Sequence, residues 1–384
     1  MLEPRFHGAI DAIAPHAWDS LRPDDNPFVS HAFLAALEAT GCIRNDWGWQ
    51  AHHLGLYEGE TLVAAAPLYL KGNSHGEFVF DWSWASAWER AGGEYYPKLL
   101  NAVPYSPVTG PRLLAGRGRH AAALRQALVT AMRGEVDRLG LSSLHANFLL
   151  ADELPAFDDH WLTRTDVQFH WHNRDYADFD AFLAALNHKK RKNIRHERAQ
   201  VARSGLQIEM RGGASLSRDE WRRVHALYES TFDAKGNHAA LTRAFFLSLG
   251  DTLGDAVQLV LARDGETIVA MALLIQSADT LYGRYWGASV EVPGLHFELC
   301  YYRGIEHAIA RGLQRFEPGA QGEHKLARGF LPVHTHSRHY LAHPQFRRAV
   351  RDALVHETDS VQAYAQELAA HSPYAHGRTT DDAA

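Results

Sequence analysis

Residues 54–70 read LGLYEGETLVAAAPLYL, and residues 260–276 read VLARDGETIVAMALLIQ. Aligned without gaps, the two share Gly-Glu-Thr, then Val-Ala, then a further Ala and a Leu. Each is an apolar run broken by a turn, at Glu58-Gly59 or at Asp264-Gly265, which is the pattern of two antiparallel strands joined by a tight hairpin. An aromatic strand is expected after each hairpin, at residues 78–84 and 281–286. A helix and another short strand come next, at 121–139 then 141–144, and at 298–311 then 313–316. Both helices run into Gly-Leu (Gly140-Leu141 and Gly312-Leu313), a C-cap pattern. The same order of elements occurring twice points to two copies of one α+β unit.

A chain of 384 residues has room for two such units. The expected division is 1–165 and 166–384, the second part holding a basic helix at 187–205 and a polar, frayed tail at 371–384. With 46% apolar and 22% charged residues, the composition is that of an ordinary globular protein. The formal charge of −6 confines any surface for nucleic acid or membrane to a local patch. Cys42 and Cys300 are the only cysteines, which excludes a disulfide framework and suits a reducing compartment. The N-terminus has no apolar leader, and the best apolar run, 62–70, is too short to span a bilayer. The expected location is cytoplasmic, with no transmembrane segment.

In the second copy, Phe182, Leu183, Leu186, Ile194 and Val201 recur at roughly helical spacing, so a helix is expected over 179–203, stopped by Gly205. Two more are expected at 219–232 and 242–249. Lys189, Lys190, Arg191, Lys192, Arg195, Arg198 and Arg203 crowd the first of these, opposed by Glu197 alone. Such repulsion weakens an isolated helix. An anionic partner relieves it, and phosphate, of tRNA or of a nucleotide-linked substrate, is the natural one. The alternative is a solvated face.

The stretch FEPGAQGEHKLARGF, residues 316–330, gathers ionisable groups among glycines. The strand before it should be buried and should leave through Glu317-Pro318-Gly319 into a loop carrying Glu323, His324 and Lys325. Transfer of an acyl group to an amine needs a base for the proton and donors for the oxyanion. Glu323 or His324 is the candidate base, with Glu298 a third catalytic candidate, and Lys325 and Arg328 are candidates for holding an anionic substrate. Upstream, Pro293-Gly294 makes a turn and a helix begins near His296, so backbone N–H groups at Gly294 and His296 could hold an oxyanion or an anionic cofactor group. Glu298, Tyr302 and Glu306 should share one side of that helix. His334, His336, His339 and His343 lack the spacing of a metal site, with no HExxH helix and no paired cysteines. They read as a pocket wall in which Arg338 and His339 contact substrate. GxSxG, Walker and strand-plus-GxGxxG motifs are absent.

Four stretches, YYPKLLNAVPYSPVTGPRLL (95–114), HKKRKNIRHERAQV (188–201), HFELCYYRGIEHAI (296–309) and FEPGAQGEHKLARGFLPVHTHSRH (316–339), resemble the FemAB-like group of predicted bacterial N-acyltransferases, labelled peptidoglycan biosynthesis or recognition proteins. The resemblance runs from about His31 to Leu368. It implies a tandem of two GNAT-like acyltransferase domains, each a mostly antiparallel sheet flanked by helices. It also implies transfer of an acyl or aminoacyl group to a primary amine, such as one on a cell-wall precursor. The donor would be aminoacyl-tRNA or acyl-CoA, with no tightly bound cofactor. Lys189, Lys190, Arg191, Lys192 and Arg195 are similar in character to the Lys/Arg-rich segment of Fem enzymes. Residues 292–297, VPGLHF, do not match the Q/R-x-x-G-x-G/A loop by which GNAT enzymes cradle the CoA pyrophosphate. Two other readings stand beside this one: a non-catalytic module that binds a peptidoglycan precursor, and an acetyl-CoA-dependent N-acetyltransferase.

Overall fold

The structure is a computed structural model, and it describes residues 2–234, 236–320 and 322–375. The chain forms two compact units. The first holds the residues up to Asp166, then Ala240–Phe245 and His334–Gln362; the second holds Val167–Ala239, Phe246–Val333 and the residues from Ala363.

In the first unit, β1 (Leu2–His7), β3 (His53–Glu58) and β4 (Thr61–Ala66) form one antiparallel sheet, in the order β1-β3-β4. Between them in sequence lies β2 (Trp49–Ala51). It pairs with β5 (Tyr69–Lys71), which pairs with β6 (Lys98–Asn101), and β6 lies parallel to β7 (Ser143–Ala146). The helix Ala121–Leu139 makes the crossover between that parallel pair, as parallel strands require. Next comes β8 (Leu162–His172), whose residues from Val167 onward belong to the second unit. There β9 (Gln207–Gly212), β10 (Val257–Asp264), β11 (Thr267–Gln276) and β12 (Thr280–Ala288) run antiparallel. β12 lies parallel to β13 (Arg315–Glu317), which pairs with β8. Last, β14 (Leu331–Leu341) pairs in the first unit with β7.

The two hairpins match in detail. Glu58 faces Thr61 in one and Asp264 faces Thr267 in the other. Each ladder then slips by one residue at the same place, between Leu56 and Tyr57 and between Ala262 and Arg263. A shared bulge at a shared register is a designed feature of strand geometry, so the duplication read from Gly-Glu-Thr extends to the backbone. The expected architecture, two α+β units with mostly antiparallel sheets flanked by helices, is the one observed. The second unit's core is built from Trp171, Phe182, Ile194, Leu274, Leu299, Ile305, Phe316 and Phe330, all nearly fully buried. Each such side chain stabilises the fold by roughly 1.5–3 kcal/mol relative to exposure.

Several expected elements differ. Residues 78–84 do not form an aromatic strand; Trp82–Arg90 is a helix. Trp84 and Ala85 bury while Trp82 stays 49% exposed, so Trp84 and Trp88 follow helical spacing. The strand that continues the first copy is β6, further on. The single helix expected over 179–203 is two, Phe179–Ala185 and His188–Arg203. Asn187 breaks it because its side chain accepts from the N–H of Lys190 at 3.0 Å and caps the second helix. Of the tail expected to fray, residues 371–375 are held: Tyr374 is buried and donates its hydroxyl proton to the Gly329 carbonyl at 2.8 Å, and the Ala375 N–H donates to Ala185. Residues 376–384 lie outside the described residues. The chain changes unit at Asp166, but residues 240–245 and 334–362 pack with the first unit, so a division into two sequential blocks does not describe the domains. Among the described residues, no helix is long and apolar enough to cross a membrane.

Candidate active site

Strands β12 and β13 pair over only three residues each, Thr280, Leu281 and Tyr282 with Arg315, Phe316 and Glu317. β12 continues to Ala288, but β13 ends because Pro318 has no N–H to donate to the ladder. Gly319 then takes φ +93, a conformation that L side chains rarely adopt. The strands therefore part beyond Tyr282 and Glu317. A cavity of about 230 Å³ lies there, within the second unit.

Four elements and the loop residues Pro318, Gly319 and Ala320 line it, the first being β11 with Ala272, Leu273 and Leu274. β12 contributes Gly283, Arg284, Tyr285 and Trp286. Residues 295–310 form one helix interrupted by a π turn at Glu298–Tyr302, and they contribute His296, Cys300 and Tyr301. A 3₁₀ turn, Glu323–Arg328, contributes His324 and Lys325. Among the described residues, no Asp or Glu lines the cavity.

Lys325 is 2% exposed, and its Nζ donates to the Gly319 carbonyl at 2.6 Å. Burial without a carboxylate partner pushes the ammonium down to about 8. His324 lies lower than an ordinary histidine, first through burial and then through the charges of Arg328 and Lys325. Its Nε2 is 2.8 Å from the Tyr301 hydroxyl. Burial pushes both the Tyr301 phenol and the Cys300 thiol up, so each keeps its proton at neutral pH and Cys300 is a poor nucleophile. This wall can hold negative charge and can take a proton.

The structure brings some of the expected site residues to this cavity and places others elsewhere. His324, Lys325 and His296 line it. Glu323 does not; it is exposed and accepts a hydrogen bond from Tyr364 at 2.6 Å. Glu298 is buried in ion pairs with Arg198 at 3.0 Å and Arg303 at 2.9 Å, and Arg198 also reaches Glu306 at 2.6 Å. Arg328 donates to Glu197 at 2.6 Å, to the Tyr302 hydroxyl at 3.1 Å and to the His324 carbonyl at 2.8 Å, with its guanidinium over the Phe297 ring. Tyr302 itself donates to Glu197. The shared side expected for Glu298, Tyr302 and Glu306 is thus the side that meets the basic helix. Gly294, at φ +86, fits a close approach: a Cβ there would sit 3.1 Å from the Glu197 carbonyl oxygen. Arg338 and His339 lie in the first unit, where His339 is buried with Nδ1 2.6 Å from His145 Nδ1. Among the described residues, no group of three or more His, Cys, Asp or Glu is placed to hold a metal.

The basic helix His188–Arg203 carries Lys189, Lys190, Arg191 and Lys192 in its first turn and a half, where the helix dipole is positive. Lys189, Lys192 and Arg195 are exposed. Arg195 meets Asp180 at only 3.7 Å, and Arg191 donates to the Ala184 carbonyl at 3.4 Å. A fold seeking stability alone would not cluster cations at that end.

Sequence reasoning missed Arg284, Tyr285, Trp286 and Tyr301 as cavity residues, because neither the parting of the strands nor the π turn has a sequence signature. The aromatic run Tyr282, Tyr285 and Trp286 was the available hint. It also missed a buried cluster in the first unit, where Lys98 donates to Ser74 at 2.8 Å, Glu77 at 2.9 Å and Asp81 at 2.6 Å.

The FemAB-like family, described as peptidoglycan biosynthesis/recognition, matches residues 9–376. The chain belongs to that family. No curated protein matches it in sequence. Among solved structures, it is similar to FemX (TM-score 0.51, 11% identity, covering 91% of this chain and all of that one). It is also similar to the C-terminal domain of a putative lysylphosphatidylglycerol synthetase from Agrobacterium fabrum (TM-score 0.53, 11% identity, 88% of this chain and 95% of that one). At that identity the likeness is one of fold.

Proposed function

We propose that this FemAB-like chain is an N-acyltransferase that moves an acyl or aminoacyl group onto a primary amine in the cavity of its second unit. One observation carries the reading: Lys325 is a buried cation held without a carboxylate in the wall of a cavity that opens where two parallel strands part. Such a group costs stability, and perturbed ionisable groups in clefts concentrate at functional sites.

The donor's ester or thioester carbonyl sits beside Lys325. The amine attacks the carbonyl carbon, a C–N bond forms, and negative charge gathers on the carbonyl oxygen. The Lys325 ammonium stabilises that oxyanion, an effect worth about 10²–10³ in rate for one well-placed donor. His324, neutral at pH 7, takes the proton from the attacking nitrogen. The C–O or C–S bond then breaks, and the departing oxygen or sulfur takes up that proton. Glu323 is left out, because it faces Tyr364 away from the cavity lining.

The family description supports an acceptor amine on a peptidoglycan precursor. The cations from Lys189 to Arg195 support a phosphate-bearing donor, and their number favours aminoacyl-tRNA over acyl-CoA. The test is a paired titration of the purified protein with aminoacyl-tRNA and acetyl-CoA at two salt concentrations, followed by transfer of labelled acyl group to an amine. Salt-dependent tRNA binding with transfer is the expected result. CoA binding with transfer would replace the donor. Binding of precursor without any transfer would leave a recognition module.

A further inference from the structure

The turn Glu323–Arg328 brings His324 and Lys325 to the cavity wall, and two later tyrosines meet its two ends. At the start, the Tyr364 hydroxyl donates to Glu323 Oε1 at 2.6 Å. At the end, the Tyr374 hydroxyl donates at 2.8 Å to the carbonyl of Gly329, the residue that caps the turn. Gly329 takes φ +94, and a Cβ there would lie 2.8 Å from the Phe182 ring and 3.3 Å from the Tyr374 oxygen, so the cap is tightly enclosed. Tyr374 is anchored in turn by its backbone. It bridges Leu186 in antiparallel fashion, with the Asn187 N–H donating to the Pro373 carbonyl at 2.9 Å and the Ala375 N–H to the Ala185 carbonyl at 3.0 Å. Its ring packs in the core cluster that holds Leu326 and Leu368, and the Arg174 guanidinium lies 4.3 Å from the ring centroid. Both tyrosines and the turn belong to the second unit.

The turn needs such support. A short 3₁₀ turn has poor hydrogen-bond geometry and does not hold itself. Gly319, Gly322 and Gly329 flank it, all at positive φ, and glycine is the most freely moving residue. Lys325 pulls the turn outward, because a buried ammonium without a carboxylate gains by reaching water. We propose that Tyr364 and Tyr374 are positioning residues: they clamp the two ends of this turn and so hold His324 and Lys325 at the cavity. Glu323, which does not line the cavity, then serves as the point where the first clamp attaches. The inference rests on the cavity's being the reaction site, but the state of Lys325 reads it separately from turnover.

The experiment is an NMR pH titration of the full chain labelled with ¹³C at lysine Cε, with Lys325→Met and Lys71→Met assigning the two buried signals. Lys71, in the first unit, is the internal control. Wild-type midpoints near 8 for Lys325 and near 7 for Lys71 are expected. Tyr374→Phe keeps the ring and removes no charge, since burial holds the phenol well above its ordinary value. It should move Lys325 up toward the ordinary 10.5 and leave Lys71 in place. Turnover should fall about 10-fold or more with KM within about 2-fold, as expected when a reacting group is misplaced and binding is not. If Tyr374→Phe does not fold, Tyr364→Phe, whose bond is exposed, is titrated in its place and should shift Lys325 in the same direction. An unchanged Lys325 midpoint, an equal movement of Lys71, or a raised KM at unchanged kcat overturns the proposal. A Lys325 that responds to Tyr374→Phe in a chain that transfers no acyl group would remove the catalytic reading and leave the clamp standing.

Discussion

Lys71, Lys98 and Lys325 are all almost fully buried, and their surroundings separate them. Burial pulls Lys98 down, but Glu77 and Asp81 more than offset this and keep it above the usual lysine value. Burial pushes Lys71 down to about 7, yet it donates to Gly48 at 2.9 Å, to His75 at 3.2 Å and to Asn73 at 3.4 Å, and it lies over the Trp49 ring. Those contacts tie a loop together. Lys325 has the Gly319 carbonyl and a cavity. Its folded value, about 8, is below the ordinary 10.5. The charged form is therefore disfavoured in the fold, the penalty is full below pH 8, and it relaxes between pH 8 and 10.5. At 1.36 kcal/mol per pKa unit that penalty is on the order of 3 kcal/mol. Lys325→Met should then raise the melting temperature at pH 7 by a few degrees while cutting transfer by about 10²-fold or more. A lower melting temperature would make Lys325 structural. Lys98→Met, which strands two buried carboxylates, should instead destabilise by about 3–5 kcal/mol in urea unfolding. The pH profile of transfer should be a bell. Its acid limb lies below the ordinary histidine value, where His324 gains a proton, and its alkaline limb lies near pH 8, where Lys325 loses one. An alkaline limb that stays put in Lys325→Arg would assign it to another group.

At the scale of elements, the basic helix has two faces with different tasks. Arg198 and Glu197 turn inward, to Glu298, Glu306, Arg328 and Tyr302, and fasten the helix beside the cavity helix. Lys189, Lys192 and Arg195 turn outward. Replacing Lys189, Lys190 and Lys192 together by Gln should flatten the salt dependence of tRNA binding by roughly 0.7–0.9 per lost phosphate contact. The melting temperature should stay the same or rise slightly, because cations oppose the dipole at a helix start. A salt slope unchanged by the triple replacement would return these residues to a solvated face. Gly294→Ala acts on the same contact from the other side. A positive φ and a Cβ only 3.1 Å from the Glu197 carbonyl oxygen should cost about 1–3 kcal/mol, read from unfolding curves.

At the scale of the whole molecule, several buried histidines are held neutral. Burial lowers His145 to about 3 and His307 to about 4, and it holds His170 and His339 well below an ordinary histidine. The unfolded chain binds those protons near pH 6.5 and the folded chain does not, so stability should fall as pH drops from 6.5 toward 4. Glu220, lowered to about 2, adds to the loss below its ordinary range. A melting temperature flat between pH 6.5 and 4.5 would show that these rings open to solvent in the native state. Much of the fold was legible in residues near one another in sequence. Gly-Glu-Thr between apolar runs set both hairpins, and Gly140 and Gly312 ended their helices, because turn and cap geometry is decided by a few adjacent residues. The cations of the basic helix and the ionisable stretch after β13 were visible in the same way. The sequence by itself determined the duplicated unit and which segments carry charge. Only the tertiary structure decided that Lys325 is buried at a cavity, that Glu298 and Arg328 are spent on ion pairs, that Glu323 faces Tyr364, and that Tyr374 holds the Gly329 carbonyl. Those outcomes depend on strand register, burial and partners far away in sequence, which pattern and spacing do not contain.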